Sequence, residues 1–475
     1  MKLQDQKVNN DTKYFENENI KQLRSVFRQL FPKQIFKQIE QRESATWKPY
    51  LLAACAFLWM ACNEKNLVDA FRFVYNILFK IFTTVTKLGS SYQGFMDQLG
   101  RYNDRLMNVI LPHFRNLTKT KLKNYWLIAG FLLLGVDGSR FQLARTKSLK
   151  EAFAPKKKKN ETKKKFTKRL KKYKKKQTQK DRMKKSESPQ LWLTLLWHIG
   201  SGLPYDWRIG PSDSSEREHA LAMFADLPKE ALIVADAGFI GYEFWSSMME
   251  ANKHFVVRVG GNVRLLRKLG WSADERQDTV YLWPKGKRDK NPPLVLRLIR
   301  IHDGRQPLCL VTNLPDEELS VESALEIYRR RWGIEVFFRT IKQTFDRRKL
   351  RSKGSSNAPL ELEWSLVTLW GMSLIGEECV QQSGAGIDRM SPSKVLKSFS
   401  DAIRDWRVEP LSRAERLFDR LRKSLLDDYV RSSSKTNREY PRQVQKKKLH
   451  EPVIEIASKT TIKQAKAWNS RSLVT

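Results

Sequence analysis

Apolar residues recur every three or four positions through the first quarter of the chain. FRQLFPKQIFKQIEQ (27–41) and LVDAFRFVYNILFKIFTTVTKL (67–88) both carry this spacing, which is typical of amphipathic helices. The strict alternation of apolar and polar residues that marks half-buried strands is not found there. We therefore predict that residues 1–125 form a helical domain.

Near residue 126 the pattern changes to short, almost continuous apolar runs, which are typical of strands buried on both faces of a sheet. A helix interrupts these runs, and it starts at the capping-box pair Ser215 and Glu218. The order of three strands, a helix and a further strand predicts an α/β domain with a mixed sheet. The predicted strands lie at 127–143, 191–200, 205–210 and 231–239, and the helix at 214–228.

Four strand-like segments bounded by Gly, Pro and charged turns crowd residues 255–312 and predict a β-rich module. Helices are predicted after it, and the polar, basic segment SSSKTNREYPRQVQKKKLHEP (432–452) is expected to be loosely held. The predicted helices are 328–342, 364–382 and the amphipathic segment 411–430. The resulting domains after residue 125 are 126–245 and 321–382 as two parts of one core, 246–320 as the β-rich insertion, and 383–475 as a helical C-terminal region with a basic tail.

Charge indicates the class of partner. The chain of 475 residues carries 89 Lys and Arg against 51 Asp and Glu, a net charge of +38. A surplus of this size repels itself unless a polyanion neutralises it, and nucleic acid is the usual one. The segment 156–185 alone holds 18 Lys or Arg against Glu161 and Asp181. We expect it to be a solvated, flexible loop that makes non-specific phosphate contacts; a nuclear-localisation signal is the weaker alternative.

Other classes of protein fit the sequence less well. The longest apolar runs, 51–62 and 127–136, are too short to span a bilayer, and the polar N-terminus does not read as a signal peptide. The four cysteines show neither paired metal-ligand spacing nor a disulfide framework, as expected in a reducing compartment. The sequence therefore predicts a soluble cytoplasmic protein that binds nucleic acid.

Three carboxylates stand out by their context. Asp137 follows the apolar run LLLGV and precedes Gly, a frequent hairpin dipeptide. Asp236 follows ALIVA and is equally consistent with a turn or a helix cap. Two Asp residues at the ends of buried strands can converge, and Glu335 on a helix across that edge can complete a set of three. Because no His or Cys cluster accompanies them, such a set favours Mg²⁺ or Mn²⁺ over zinc.

The segment YRRRWGIEVFFRTIK (328–342) places its polar residues on one face if it is a continuous helix. That face carries Tyr328, Arg331, Glu335, Arg339 and Lys342, beside an apolar stripe. It fits either a solvated surface with Arg–Glu pairs four residues apart or a surface that binds phosphates and a metal ion.

These motifs resemble the bacterial insertion-sequence DDE transposases of the YREK group. Tyr328, Arg331, Glu335 and Lys342 fit the Tyr-(2)-Arg-(3)-Glu-(6)-Lys signature, and DGSRF (137–141) and ADAGF (235–239) match the contexts of the two upstream Asp residues. The resemblance covers roughly residues 125–380. It implies an RNase H-like fold, in which a mixed α/β sheet is flanked by helices and interrupted by a β-strand insertion domain.

The resemblance also implies roles for individual residues. Asp137, Asp236 and Glu335 would be the catalytic, metal-binding triad, with Mg²⁺ as cofactor and Mn²⁺ as a substitute. Tyr328, Arg331 and Lys342 would contact DNA phosphates. Further DNA-contact candidates have an alternative interpretation: Arg339 as a partner of Glu335, Arg140 as a strand cap, and Trp283 or Trp271 as core residues.

The function implied is a DNA transposase that cuts double-stranded DNA at the ends of its insertion sequence and joins the 3′-OH ends to target DNA. Its partners would be the terminal repeats, the target DNA and a second copy of the chain, in the bacterial cytoplasm at the nucleoid. The N-terminal helices would recognise the ends, and the C-terminal region would support assembly. Two alternatives remain open: a metal-dependent nuclease without strand transfer, and an inactive or domesticated DNA-binding derivative.

Overall fold

The computed structural model describes residues 17–41, 45–62, 64–85, 87–155, 167, 188–302, 307–405, 412–426 and 450–472. The Lys-rich segment predicted at 156–185 lies outside the described residues apart from Thr167, as does most of the predicted basic tail. The chain divides into two compact units. One unit is formed by Met1–Ile110 and Gly371–Leu426, the other by Leu111–Trp370 and Asp427–Thr475.

The first unit is helical. Its central helix α2 is buried around its whole circumference, which its almost uniformly apolar sequence PYLLAACAFLWMA requires. The helices are α1 (Glu18–Leu30), α2 (Pro49–Ala61), α3 (Leu67–Ile81), α4 (Tyr92–Lys121, which continues into the second unit), the end of α11 (Asn357–Gln382), α12 (Pro392–Arg404) and α13 (Leu417–Arg422).

Helices from both ends of the sequence share this core. The Phe57 ring lies 5.5 Å from that of Phe27 and 6.4 Å from that of Phe399. The side chain of Asn19, fully buried, accepts a hydrogen bond from the backbone N–H of Leu417 at 3.0 Å. The helix expected at 411–430 is shorter than predicted, because a 3₁₀ turn at Arg413–Glu415 precedes α13.

The second unit is built on one ten-stranded mixed sheet in the order β10-β6-β7-β8-β9-β5-β4-β1-β2-β3. The pairs β1–β4, β4–β5 and β6–β10 are parallel, and the others are antiparallel. The strands are β1 (Leu132–Gln142), β2 (Gln190–His198), β3 (Leu203–Pro211), β4 (Ala231–Ala235), β5 (His254–Val259), β6 (Arg264–Arg267), β7 (Thr279–Leu282), β8 (Leu294–His302), β9 (Pro307–Thr312) and β10 (Val453–Ile456).

Helices cover the sheet because its central strands are apolar on both faces. The described helices of this unit are α5 (Lys123–Trp126), α6 (Lys147–Phe153), α7 (Glu216–Phe224), α8 (Tyr242–Glu250), α9 (Val321–Arg330), α10 (Gly333–Arg339) and α14 (Lys459–Ser472), with parts of α4 and α11. Alternate residues of β1 (Leu132, Leu134 and Val136) share one core cluster with residues of α7 and α8. The mixed α/β class predicted from the sequence is therefore observed.

The β-rich segment does not form a separate sheet. Strand β5 pairs in parallel with β4, and β9 pairs with β5, so strands β6 to β9 extend the same sheet outwards. The sequence predicted these strands correctly, but composition does not determine which edge of a sheet a strand joins.

The last described segment, 450–472, is anchored on the sheet and core of the second unit. Strand β10 adds to the outer edge of β6, and the indole N–H of Trp468 in α14 donates to the Arg288 carbonyl oxygen at 2.5 Å. Ala457 and Ala465 are buried in the core of this unit. The segment expected to be loosely held, 432–452, lies outside the described residues except for 450–452.

The continuous helix expected at 328–342 is wrong. Helix α9 ends at Arg330, α10 begins at Gly333, and a π-helical turn follows at Thr340–Thr344. At the first break the N–H groups of Trp332, Ile334 and Glu335 bond to carbonyl oxygens three residues earlier. A Cβ on Gly333 would lie 2.0 Å from a ring carbon of Trp197 in β2. The helix therefore approaches the sheet at a distance that only glycine permits.

In the part of the chain that the structure describes, no helix is both long enough and apolar enough to cross a membrane.

Candidate active site

The candidate site lies where strand β4 ends beside β1. Val136 of β1 pairs with Ala235, the last residue of β4, so Asp137 and Asp236 follow at the same level of adjacent strands. Strand β1 continues to Gln142, and Asp137 is paired with Leu195 of β2 inside the strand rather than placed in a hairpin turn. From Asp137 onwards, β1 is therefore no longer paired with β4. We call the resulting gap in the sheet beside Asp137 and Asp236 the notch.

Backbone N–H groups orient both aspartates. The N–H of Gly138 donates to Oδ1 of Asp137 at 2.8 Å, and the N–H of Gly238 donates to Oδ1 of Asp236 at 2.7 Å. A Cβ at Gly238 would lie 2.8 Å from that same Asp236 oxygen. Gly238 therefore makes room for the Asp236 carboxylate.

The third predicted carboxylate reaches the notch from α10. Glu335 Oε1 lies 3.3 Å from the Arg331 guanidinium, and the Arg331 side chain is only 9% exposed. The Arg331 guanidinium also lies 5.5 Å from the ring centroid of Tyr328. The Arg331 guanidinium therefore places a positive charge among acidic side chains.

The acidic side chains are close enough to perturb one another. Burial raises the pKa of Asp137 to about 6, and the charges of Asp236 and Glu335 add to the effect. The Gly138 N–H and the Arg331 guanidinium act in the opposite direction and lower the pKa of Asp137. The three predicted carboxylates and Arg331 are therefore near enough for their charges to act on one another.

Sequence reasoning missed a fourth acidic residue at the notch. Glu216 is the first residue of α7, and burial raises its pKa to about 7, with the charges of Asp137 and Asp236 adding to the effect. In the sequence Glu216 is one of several charged residues in SSEREH, next to a capping serine. Its position depends on how α7 packs on β1, and the local sequence carries no signal for that.

Lys342, a residue of the π-helical turn, contacts strand β1. Its Nζ donates to Ser139 Oγ at 2.5 Å and lies 5.1 Å from the ring centroid of Phe141. Asp137, Ser139 and Phe141 alternate along β1 and therefore share one face of the strand. Lys342 is thus placed on the same face as Asp137.

The other DNA-contact candidates are less close to the triad. Arg140 lies on the opposite face of β1, 4.7 Å from the ring centroid of Trp192. Arg339 is exposed and, within the described chain, forms no ion pair with Glu335. Trp271 is half-buried against the core.

Trp283 is buried, and its indole N–H donates to the Asn291 carbonyl oxygen at 2.8 Å. It lines a cavity of about 450 Å³ together with Tyr242 and Trp245, with Arg288 5.3 Å from its ring centroid. Trp332, which sequence reasoning did not single out, is 55% exposed and directly follows Arg331.

The chemistry of the predicted triad fits a divalent cation. It offers only oxygen donors, and its mutually repelling charges would be relieved by a cation. Among the described residues, no group of three or more His, Cys, Asp or Glu side chains is arranged so that it could hold a metal ion. In this structure Glu335 is paired with Arg331 instead.

Comparison with known proteins identifies the family. The family model of the transposase DDE domain matches residues 132–370, half of the chain, and this range includes all three predicted carboxylates. The chain is a member of the transposase DDE domain family.

Individual relatives are more distant. The putative transposase for insertion sequence element IS4SA of Synechocystis sp. (strain ATCC 27184 / PCC 6803 / Kazusa) is 22% identical over 208 residues, 42% of this chain and 57% of that protein. The putative transposase y4zB of Sinorhizobium fredii (strain NBRC 101917 / NGR234) is 26% identical over 162 residues, 32% of this chain and 44% of that protein. The chain thus spans about half the length of the curated relatives it matches.

Among solved structures, the chain is similar to a piggyBac transposase in a cryo-EM structure of its synaptic complex with hairpin DNA. The TM-score is 0.38 and the identity 11%, over 88% of each chain. At this level the similarity adds nothing further about the present chain.

Proposed function

We propose that this protein is a DNA transposase that cleaves double-stranded DNA at the ends of its insertion sequence and joins the freed 3′-OH ends to target DNA. The observation that carries the proposal is the family match over residues 132–370, a range that includes Asp137, Asp236 and Glu335. The net charge of +38 supports a polyanionic substrate.

Asp137, Asp236 and Glu335 are the residues proposed to hold Mg²⁺, which Mn²⁺ can replace. When bound, such a cation would supply the activation of the attacking oxygen and the stabilisation of the leaving oxygen in phosphoryl transfer. The protein's own contribution is the rigid placement of the aspartates by backbone N–H groups. Each aspartate lies on or directly after a buried strand of the sheet.

Cationic and aromatic side chains around the notch are proposed to hold the DNA. Lys342 provides a point charge on the Asp137 face of β1, and Arg331 provides a guanidinium that can contact phosphate through two donors. Tyr328 can donate one hydrogen bond from its phenol. Arg339 is exposed beside them, and Arg140 offers a further charge across β1.

Two tryptophans can support the DNA bases by stacking. Trp332 presents an exposed indole next to the triad helix. Trp283 lines an aromatic cavity with cationic Arg264, Lys285 and Arg288 among its other lining residues, which is a suitable environment for an unstacked base. We further propose that the helices up to about residue 125 recognise the terminal repeats, and that the C-terminal region supports a dimer on DNA.

The test is strand cleavage on DNA that carries the native flanks of the gene, with Mg²⁺ present. Wild type is compared with Glu335→Gln, which keeps the shape of the side chain and removes its charge. Glu326→Gln is the matched control, because Glu326 forms an exposed pair with Arg330 at 2.6 Å on the preceding helix. We expect wild type and the control to nick the ends and join them, and Glu335→Gln only to bind.

Other outcomes would contradict parts of the proposal. Cutting without joined products would make the protein a nuclease without strand transfer. Binding without cutting by all three proteins would make it an inactive DNA-binding derivative. Equal cutting by wild type and Glu335→Gln would remove Glu335 from the triad.

A further inference from the structure

Strand β1 is paired again beyond the notch. Gln142 forms a parallel bridge with Lys349, and since the neighbour of Gln142 in β2 is Gln190, Lys349 lies on the side of β1 that β4 has left. The notch therefore has two ends. Asp137 and Asp236 lie at one end, and Lys349 lies at the other.

Backbone hydrogen bonds fix the loop that carries Lys349. The Gln142 N–H donates to the carbonyl oxygen of Arg348 at 3.0 Å, and the Leu350 N–H donates to the carbonyl oxygen of Gln142 at 2.8 Å. Just before them, the Arg347 side chain is buried, and its Nε–H donates at 3.1 Å to a serine hydroxyl of α11. The place of Lys349 beside β1 is therefore set by the backbone on both sides of it.

The loop carries more positive charge than its internal contacts use. Its sequence FDRRKLRSK (345–353) contains five Lys or Arg residues. Arg347 is buried, and Arg351 pairs with Asp346 at 3.2 Å. Lys349 is exposed and forms no ion pair within the described chain. Its charge is therefore available to a partner outside the protein.

A polar cavity opens beside Lys349. It has a volume of about 410 Å³, and its lining includes two cations and two amides but, among the described residues, no carboxylate. The hydroxyl oxygen of Ser188 is buried in this lining and has no hydrogen-bond partner in the part of the chain that the structure describes. The cavity is therefore suited to an anion with several oxygen atoms. Its polar lining residues are Gln142, Arg145, Ser188, Gln190 and Lys349.

Lys342 lies between the two ends of the notch. Its contact with Ser139 places it two residues along β1 from Asp137, on the way to Gln142. At about 3.3 Å per residue, Asp137 and Gln142 are roughly 17 Å apart along the strand. The same length of duplex axis holds about five nucleotides of one DNA strand. The carboxylates, Lys342 and the cavity are therefore spaced so that one DNA strand can pass all three.

We propose that the cavity at Arg145, Ser188 and Lys349 binds a backbone phosphate of a DNA strand that runs along the notch from the carboxylates. The guanidinium can donate two hydrogen bonds to one phosphate, the ammonium adds a point charge, and the hydroxyl gains a partner. A phosphate contact away from the cleaved bond fixes the register of the strand without reading its sequence. The proposal rests on the proposed function, since it assumes that DNA is the substrate at the notch.

The first test measures DNA affinity without any reaction. A labelled duplex that carries the native flanks of the gene is titrated with the full-length protein in EDTA, and binding is followed by fluorescence anisotropy. The variants are Arg145→Ala, Lys349→Ala and the control Lys353→Ala. Lys353 is exposed in the same loop but does not line the cavity, so its change removes the same charge from outside the site.

We expect Arg145→Ala and Lys349→Ala each to weaken binding about tenfold, because each removes a hydrogen bond between charged groups. Each should also reduce the slope of log affinity against log salt by about 1. Lys353→Ala should bind within about twofold of wild type. All three changed side chains are exposed, so the melting temperatures should stay close to that of wild type.

The second test locates the phosphate. Methylphosphonates, which are neutral, replace the phosphates of the duplex one at a time. At one position, within about five nucleotides of the cleaved phosphate, the replacement should weaken binding by wild type. The same replacement should not weaken binding by Lys349→Ala any further, because the contact is already lost. Replacements at neighbouring positions should affect both proteins equally.

The two proposals fail in different ways. If Arg145→Ala and Lys349→Ala bind like wild type while salt still weakens binding steeply, the cavity is not a phosphate site, and the proposed function is unaffected. Equal losses in all three variants, or methylphosphonate effects that never depend on Lys349, would show only a general surface charge and would also overturn this proposal. Wild-type binding that hardly responds to salt would overturn both.

Discussion

The positive charge of Arg331 offsets the repulsion among the acidic side chains around it in the second unit. Its side chain is 9% exposed and pairs with Glu335, and its charge lowers the pKa of Asp137 against the effect of burial. Removing one partner of a buried ion pair leaves an uncompensated charge, which is strongly destabilising. Arg331 therefore has a structural role in the protein alone, in addition to the phosphate contact proposed for it.

His198 should make the stability of this unit depend on acid pH. Its Nε2–H donates to the Trp126 carbonyl oxygen at 3.0 Å, and its Nδ1 accepts from the Ser201 N–H at 3.2 Å. Burial lowers the pKa of His198 to about 4, so the folded state binds this proton less well than the unfolded state. Its contribution to stability is complete above about pH 6.5 and is lost as the pH falls towards 4, roughly 3 kcal/mol in all.

The measurement is the free energy of unfolding by denaturant between pH 7 and pH 4, for wild type and His198→Gln. Glutamine keeps a donor and an acceptor but does not take up a proton in this range. We expect the pH profile of the variant to be shallower than that of wild type. Profiles of equal slope would show that His198 is not held neutral by the fold.

At the residue scale, the sequence named the three carboxylates because each has a distinctive local context. Asp137 and Asp236 follow buried strands, and Glu335 lies in a fixed spacing of polar residues. Glu216 could not be found in this way, because its approach to Gly138 depends on the packing of a helix against a strand of distant sequence. Contacts that arise from tertiary packing leave no local pattern.

At the element scale, the contact between α10 and β2 is the most demanding in the candidate site. Three ring carbons of Trp197 lie within 2.9 Å of the place where a Cβ on Gly333 would stand. Glu335 is two residues further along this helix, so the closeness of α10 to the sheet also sets the position of the catalytic candidate.

We expect Gly333→Ala to lower the free energy of unfolding by about 2 kcal/mol. Overpacking costs about 1–3 kcal/mol, and it outweighs the helix propensity of alanine, which is worth at most about 1 kcal/mol. Gly354→Ala is the control, because a Cβ there meets nothing within 4 Å. If the clash is the cause, the double variant Gly333→Ala with Trp197→Leu should be no less stable than Trp197→Leu alone. A Gly333→Ala protein as stable as wild type would contradict this account.

Helices and strands were predicted well where the apolar residues recur with a strong periodicity. They were predicted poorly where packing against a neighbouring element determines the structure. Strands β1 and β4 and helix α7 lie within the segments expected from apolar runs and the Ser215 cap, whereas β2 begins one residue before its predicted segment and β3 extends beyond both ends of its own. The helix at 328–342 was wrong, because a wheel of 100° per residue assumes an unbroken helix, and both the break before Gly333 and the π-helical turn change the rotation. Strand β10 was missed since VIEI is short and largely exposed, and only its pairing with β6 defines it.

At the scale of the whole molecule, the net charge of +38 predicts how DNA binding responds to salt. Each phosphate contact releases counterions, so affinity should fall roughly 10³-fold or more between 50 and 200 mM salt if six or more contacts form. Lys342→Ala should reduce the slope of log affinity against log salt by about 1, because one phosphate contact is lost.

The control for Lys342→Ala is Lys229→Ala. Lys229 is exposed just before β4, at the end of that strand opposite to Asp236. We expect the Lys229→Ala variant to have the same slope of log affinity against log salt as wild type in fluorescence anisotropy titrations. Affinity that hardly changes with salt would contradict a binding mode based on phosphate neutralisation.

The pairing of β10 with β6 has a consequence for biosynthesis. Val453 pairs with Arg264, so the outer edge of the sheet is completed by a strand that is synthesised 189 residues after β6 begins. At 5–20 residues per second, the β6 edge waits roughly 10–40 s for its partner strand. An unpaired strand edge is a template for another chain, and neighbouring nascent chains on one messenger RNA each expose this edge during that interval. Chain termination before residue 453 would leave the edge open permanently, so truncated products should aggregate more readily than the full-length protein.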